Sequence, residues 1–271
     1  SMAYADLGKC PNNEREMPLP DFVLCCNNIC NCMMNWYENI GKMLNIPVIM
    51  IDVPFNDKYD VDEKRVAYMR GQFDDCIRQL EEITGKKWDE ERFKQVCDIS
   101  NKVGVAWLEA TQYMGYKPSP LNGFELFNHM AVATMARGKQ ESLDGFLQLI
   151  DEYKQFVKER KSTFKVEETN RVMFEGIACW PFLRATLNGA NVTACVYGPS
   201  FAFIYGNTDE MMKAYAGVPN AINLERATEL RKKLCLEGKV DGGLVHINRS
   251  CKMWSGIAPE MGRRISEDLH I

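Results

Sequence analysis

Apolar and polar positions follow two different rhythms along this chain. At both ends, short apolar runs bounded by turn residues alternate with helical periodicity, while the middle is helical throughout. FVLCC (22–26) reads as a buried strand, residues 31–44 as a helix, and IPVIMID (46–52) as a second strand stopped before Pro54. Together they make one βαβ unit. From about residue 62 to 160 the pattern is that of amphipathic helices, DEKRVAYMRGQFDDCIRQLEEITG and DEERFKQVCDISNKVGVAWLEATQYM, then a break at KPSPLNG and two further helices. Strands recur at RVMFEGIAC (171–179), NVTACVY (191–197) and GGLVHIN (242–248), each followed by a helical stretch, with the last helix starting near Ile257. The expected fold is α/β, divided into a first lobe (1–60), a helical insertion or cap (61–165) and a second lobe (166–271). The alternation predicts a further strand after DLHI and a core element before SMAYADLG, so both lobes are expected to be partial.

Composition removes several classes of function. With 271 residues, 46% of them hydrophobic, the chain can fill two cores. Its 33 basic and 37 acidic residues are spread along the whole length, with no basic block to follow phosphates, so nucleic acid is not an expected partner. No apolar run reaches the roughly 18 residues of a membrane span, and the first residues lack the basic-then-apolar build of a signal peptide. A cytoplasmic location is expected. Neither a P-loop nor a G-x-G-x-x-G fingerprint occurs, and His129, His246 and His270 are too scattered for a zinc-protease motif or a triad.

Eleven cysteines, an odd number, point to thiolate chemistry or metal binding rather than to a disulfide framework. Cys76, Cys97 and Cys235 fall on helices and read as small buried hydrophobes. In LCCNNICNC, by contrast, Cys25, Cys26, Cys30 and Cys32 stand where a strand ends and a helix begins. Ligands collect at the carboxyl ends of strands in α/β sheets, and a helix N-terminus stabilises thiolate. Cys25 and Cys26 are expected to pack on the two faces of the strand. Cys251, in DGGLVHINRSCKMWSG, repeats the arrangement, flanked by Arg249 and Lys252, which are expected to lower its pKa. A third such place is GIACWPF, where Cys179 ends a strand and Pro181 suits the first turn of a helix. Zinc is a competing ligand, but the usual C-x-x-C knuckle is missing. Spacing alone leaves both a shared cluster and separate structural cysteines open.

At these residues the chain resembles a known family. PLPDFVLCCNNICNCMMNWYENIGKMLNIPVIMIDVPF is similar to the cluster-cysteine stretch of 2-hydroxyacyl-CoA dehydratase and benzoyl-CoA reductase subunits, the D-component of 2-hydroxyglutaryl-CoA dehydratase among them. DGGLVHINRSCKMWSG resembles the family's later Arg-Ser-Cys-Lys ligand motif, and NGANVTACVYG fits its second-domain pattern. The resemblance spans nearly the whole chain. It implies two Rossmann-like lobes with parallel sheets facing each other across a cleft, and Cys30 and Cys251 as two of three protein ligands to a 4Fe-4S cluster. The third ligand opens a Cys-Ser-x-x-x-x-Asp-x-Gly motif, of which Ser1, Asp6 and Gly8 match the remainder. The cysteine is expected immediately before Ser1, with Cys10 or Cys179 as substitutes, or the cluster lost, as alternatives.

Three ligating cysteines leave one iron open. The implied function is that of an (R)-2-hydroxyacyl-CoA dehydratase (a lyase) or an aromatic acyl-CoA reductase of anaerobic metabolism, passing single electrons to an acyl-CoA thioester. Implied partners are a homologous second subunit, in a heterodimer or homodimer, and an ATP-hydrolysing activator, which agrees with the missing P-loop. Two alternatives stay open: an ATP-dependent reductase with a double-cubane cluster, and a non-catalytic partner subunit. His246, on the strand leading to Cys251, is a candidate acid-base group or else a satisfied core or loop residue. Trp36 and Tyr37 are expected to pack, and Arg249 and Lys252 either to neutralise cluster charge or to face solvent.

Overall fold

The computed structural model describes residues 18–28, 30–179, 187–249 and 251–271. The first α/β unit is β1 (Val23–Cys26), α1 (Asn31–Leu44) and β2 (Val48–Ile51), with parallel pairing from Val23↔Val48 to Cys26↔Ile51. α1 has the bounds its periodicity predicts. Asn45 ends it in the left-handed conformation at φ 53, and Gly41 leaves room for Val48, which a Cβ there would strike.

Four long helices follow: α2 (Glu63–Thr84), α3 (Glu90–Gln112), α4 (Gly123–Met135) and α5 (Gln140–Glu159). Asp62, Asp89 and Asn122 cap the first three by accepting the N–H of Arg65, Arg92 and Glu125. Gly85, at φ 67, stops α2. The second α/β unit comprises β3 (Asn170–Glu175), β4 (Ala190–Cys195) and β5 (Gly242–Val245), all parallel in the order β4-β3-β5. Between and after them run α6 (Tyr197–Ser200), α7 (Thr208–Ala216), α8 (Leu224–Gly238), α9 (Lys252–Ser255) and α10 (Ala258–Leu269). None of the described helices is long and apolar enough to cross a membrane.

Every strand is shorter than its apolar run. β3 stops at Glu175 rather than at 179, because Gly176 takes φ +125 and a Cβ there would collide with the His246 carbonyl. Cys179 therefore does not end a strand. The helix expected from Pro181 falls outside the described residues.

Three buried clusters cross the boundaries between these segments. Trp107, Phe127, Phe146 and Tyr153 from the helical stretch pack with Phe174 of β3 and with Val192 and Cys195 of β4. Met69 of α2 meets Met211 and Met212 of α7 together with Val53. Cys30 shares a third cluster with Met173, Ala194, Cys235, Cys251 and Trp254. A side chain from the first α/β unit thus lies in the core of the second.

Two buried ion pairs lock this arrangement. Arg171, 2% exposed, donates to Glu168 at 2.6 Å, to the Gly238 carbonyl at 2.9 Å, to that of Tyr116 at 2.8 Å, and to that of Met114. Arg231 holds Glu175 through two bonds of 2.9 Å and lies 5.5 Å over the Trp254 ring. Removing one partner of such a pair leaves a buried charge uncompensated. Arg171→Ala should therefore cost about 3–5 kcal/mol, read as a lowered urea midpoint with an unchanged slope.

His129 adds a pH-dependent term. Its Nδ1 lies 3.4 Å from the Tyr153 hydroxyl, and loss of solvation holds its pKa below the ordinary 6.5 against the pull of Glu152. Below that ordinary value the unfolded chain binds the proton first, so this contribution is whole above about pH 6.5 and is lost as pH falls toward the depressed folded pKa. His129→Asn should flatten the acid limb of a stability-versus-pH curve; an unchanged limb would contradict the assignment.

Candidate thiol site and adjoining cavity

Cys30 and Cys251 each sit at a helix N-terminus beyond a parallel strand. Cys30 is the N-cap of α1, four residues past β1, and Cys251 is the N-cap of α9, beyond the end of β5. The two thiols share one buried cluster, close enough to act on each other's charge, and the backbone N–H of Trp254 lies on the Cys251 side of that cluster. Both are buried, at 8% and 1% exposure, with Cys32 close enough to be felt electrostatically.

Burial, the largest influence, pushes the Cys251 thiol up, and the neighbouring thiols add to it against the Trp254 amide. This corrects the expected lowering by Arg249 and Lys252. Both are exposed, and their charges are spent on water.

A web of side-chain amides places the loop that carries Cys30. Asn27 accepts the Val53 N–H at 2.7 Å and donates to the Asp52 carboxylate, tying the loop to the end of β2. Asn220 donates to the Asn28 carbonyl, tying it to the turn after α7. Cys25 packs inside the sheet, its sulfur 3.7 Å from the Ile49 carbonyl and 3.6 Å from the Met50 sulfur. Cys26 packs against the cluster of Val53 and Met69 as expected, and it also lines a cavity and donates to Asn28 Oδ1 at 2.7 Å.

That cavity, of about 470 Å³, opens where the carboxyl ends of both sheets meet the helices. Cys26 and Asn28 come from the first unit, Ser100 and Arg137 from the helical stretch, and Ile177, Tyr197, Cys251 and Trp254 from the second. The indole Nε1 of Trp254 is buried without a hydrogen-bond partner. Burial first, and then the charge of Cys251 and Cys30, push the Tyr197 hydroxyl up, so it remains a donor at neutral pH.

The remaining sequence candidates lie elsewhere. His246 stands one residue past β5, its N–H donating to the Glu175 carbonyl at 2.8 Å and its Nδ1 2.9 Å from that of Ile177; it is not among the residues lining the cavity. Cys179 packs against the helical core rather than joining Cys30 and Cys251, so of the two readings that spacing leaves open it takes the structural one. Among the described residues no group of three or more metal-donor side chains forms. Ser1, Asp6, Gly8 and Cys10 lie outside the described residues. Trp36, expected to pack, is 50% exposed.

Sequence reasoning missed Cys195, Trp254 and Tyr197. Cys195 ends β4 and accepts the Gly198 N–H at 3.4 Å. It faces a separate cavity of about 400 Å³ between α3, α7 and α8, where full burial pushes it up to about 12 and keeps it an unreactive thiol. Tyr197, two residues past Cys195, and Trp254, three past Cys251, could have been found from their places close after cysteines that follow the strands.

The fold and site define an α/β protein that brings two cysteine thiols from separate parallel sheets together beside a large, partly aromatic cavity. It belongs to the 2-hydroxyglutaryl-CoA dehydratase, D-component, family, whose profile matches residues 2–271. It is 51% identical to the (R)-phenyllactyl-CoA dehydratase alpha subunit of Clostridium sporogenes, over 100% of this chain and 67% of that protein. Its identity to the (R)-2-hydroxyglutaryl-CoA dehydratase alpha subunit of Acidaminococcus fermentans is 52%, over 94% of this chain and 54% of that protein. For the (R)-2-hydroxyisocaproyl-CoA dehydratase alpha subunit of Clostridioides difficile the values are 44%, 93% and 64%. The chain thus spans between about half and two-thirds of these relatives' lengths.

The contact between the two thiols is directly testable. Mild oxidation of metal-free protein with diamide should join the Cys30 and Cys251 peptides in a disulfide. Recovery of Cys30 joined mainly to Cys26 would show a different loop geometry.

Proposed function

We propose that this chain is the cluster-bearing, acyl-CoA-binding part of an (R)-2-hydroxyacyl-CoA dehydratase subunit, with Cys30 and Cys251 as two ligands of a 4Fe-4S cluster. The observation that carries the reading is the meeting of these two thiols, from two sheets, in one buried cluster at helix N-termini, with Cys251 and Trp254 of that cluster on the wall of the cavity. The donor set suits such a cluster as far as it goes: two soft thiols in one buried cluster, beside a buried indole N–H that has no acceptor among the described residues. The third thiolate comes from outside the described residues. When bound, the cluster supplies a low-potential electron to the thioester and an open iron position beside the substrate.

The chain's own residues do the rest. The amide of Trp254 and the dipole of α1 offset the negative charge of ligating thiolates in a dry site. Asn27 and Asn220 fix the loop bearing Cys30, so its sulfur stays in register with Cys251. Tyr197, kept protonated, can donate a hydrogen bond to the thioester oxygen or to the departing 2-hydroxyl group. His246 acts at a remove: by holding the backbone around Gly176 it sets the position of Ile177 on the cavity wall.

The names of the relatives, alpha subunits, support a second subunit beside this one. The sequence has no P-loop, which supports a separate ATP-hydrolysing activator.

Protein prepared without oxygen should be brown, with about four irons and four sulfides per chain. Cys30→Ala or Cys251→Ala should lose most of that iron while keeping the far-UV circular dichroism of the parent. Cys25→Ala should keep its iron and lose only about 1 kcal/mol of packing. Stoichiometric zinc in a colourless protein would overturn the proposal.

A further inference from the structure

Two relatives of nearly equal identity, 51% and 52%, are named for acyl groups of opposite character, one ending in a phenyl ring and the other in a carboxylate. Overall similarity does not choose between them. The cavity wall does. We infer that the cavity beside Cys251 selects a 2-hydroxyacyl thioester whose acyl side chain is apolar, above all aromatic, and disfavours one ending in a carboxylate. The inference rests on the proposed reading of this cavity as the acyl site.

Rings run continuously along one side. Trp254 meets Tyr197 at 5.2 Å between centroids, Tyr197 meets Phe201 at 5.4 Å, Phe201 meets Phe203 at 6.3 Å, and Phe203 stacks on Tyr215 at 5.2 Å with 19° between planes. The first of these rings belongs to Trp254, which shares a buried cluster with Cys251 and lines the cavity beside it. An acyl side chain that leaves the thiol site along this wall meets aromatic faces and edges all the way.

A terminal carboxylate needs a cation or several free donors. Arg137 is the one charged side chain among the described residues lining the cavity, and it is already engaged. Its Nε donates to Ser100 Oγ at 2.6 Å, and its two terminal nitrogens donate to the carbonyls of Phe201, Ala202 and Phe203 at 2.6, 2.5 and 2.6 Å. Four of its five N–H groups are thereby committed to one loop.

That loop cannot easily release them. Phe203 adopts φ 38, a conformation a bulky residue holds only when its surroundings impose it. Arg137 imposes it from one side. Gly104 of α3 does so from the other, since a Cβ there would collide with the Ala202 carbonyl. Turning the guanidinium toward a substrate would free a strained Phe203 and dismantle the aromatic wall. Ser100 and Tyr205, the nearest hydroxyls, are paired with each other at 3.1 Å. Among the described residues a carboxylate buried at this end of the cavity would lose its water without gaining a cation, since the donors that remain, the Trp254 indole and the Tyr197 hydroxyl, stand at the Cys251 end with the thioester.

The test is binding without turnover. Anaerobic enzyme with its partner subunit, and without activator or reductant, is titrated calorimetrically with (R)-phenyllactyl-CoA and with (R)-2-hydroxyglutaryl-CoA. The expected result is tighter binding of the phenyl thioester by at least about tenfold. Thr134→Arg, on the exposed side of α4 at the cavity rim, adds an uncommitted guanidinium and should narrow that ratio several-fold. Equal or tighter binding of the dicarboxylate by the parent, or an unchanged ratio in T134R, overturns the inference and leaves the proposed function standing. Binding of neither thioester overturns both.

Discussion

The buried pair between Arg231 and Glu175 is the joint on which the site turns. Glu175 is the last residue of β3, and Arg231 reaches it from α8 through two bonds, then spreads its guanidinium under the indole of Trp254. Trp254 in turn presents its amide to Cys251. Desolvation offsets much of the attraction in such a pair, so its contribution is placement more than stability. It fixes the end of the central strand, the helix behind it and the ring beside the thiol relative to one another. Were the pair replaced by apolar groups, the core could close as well, but nothing directional would hold Trp254 where Cys251 needs it.

Around that joint, parallel topology does the rest of the assembly. Parallel strands send all their carboxyl ends to one edge of a sheet, and the helices that follow start there with free N–H groups. Two such edges, from the β1–β2 sheet and the β4-β3-β5 sheet, face the same space, which is why Cys30 and Cys251 meet although 220 residues separate them. The long helices supply the opposite wall by packing against both units, with Met69 reaching α7 and Phe127 reaching Phe174. Arg137 then stitches that wall to the loop after α6 through three consecutive carbonyls. The cavity is thus built by three stretches of chain, none of which encloses it alone.

Much of this was legible in the residues alone. Cys30 and Cys251 are singled out by the family resemblance rather than by spacing, while the α/β pattern, the four central helices and the bounds of α1 follow from periodicity. These depend on interactions spanning a few residues, which a linear pattern records. The failures share one cause. Cys179 was read as a strand end because its run is apolar, but the backbone turns at Gly176 to avoid His246, some 70 residues away. Arg249 and Lys252 were read as tuning Cys251 because they adjoin it, yet they point to water while Trp254 and the partner thiols surround the sulfur.

By itself, then, the sequence determined the elements and their order, because local propensity and the alternation of apolar positions are written in neighbouring residues. Only the tertiary structure decided which thiols touch, that Cys195 is sealed away while Cys26 lines the cavity, and that Arg137 serves a loop rather than a ligand. Those outcomes depend on desolvation and on partners 64 to 66 residues distant in the case of Arg137, and burial is a property of the packed whole that no stretch of chain carries on its own.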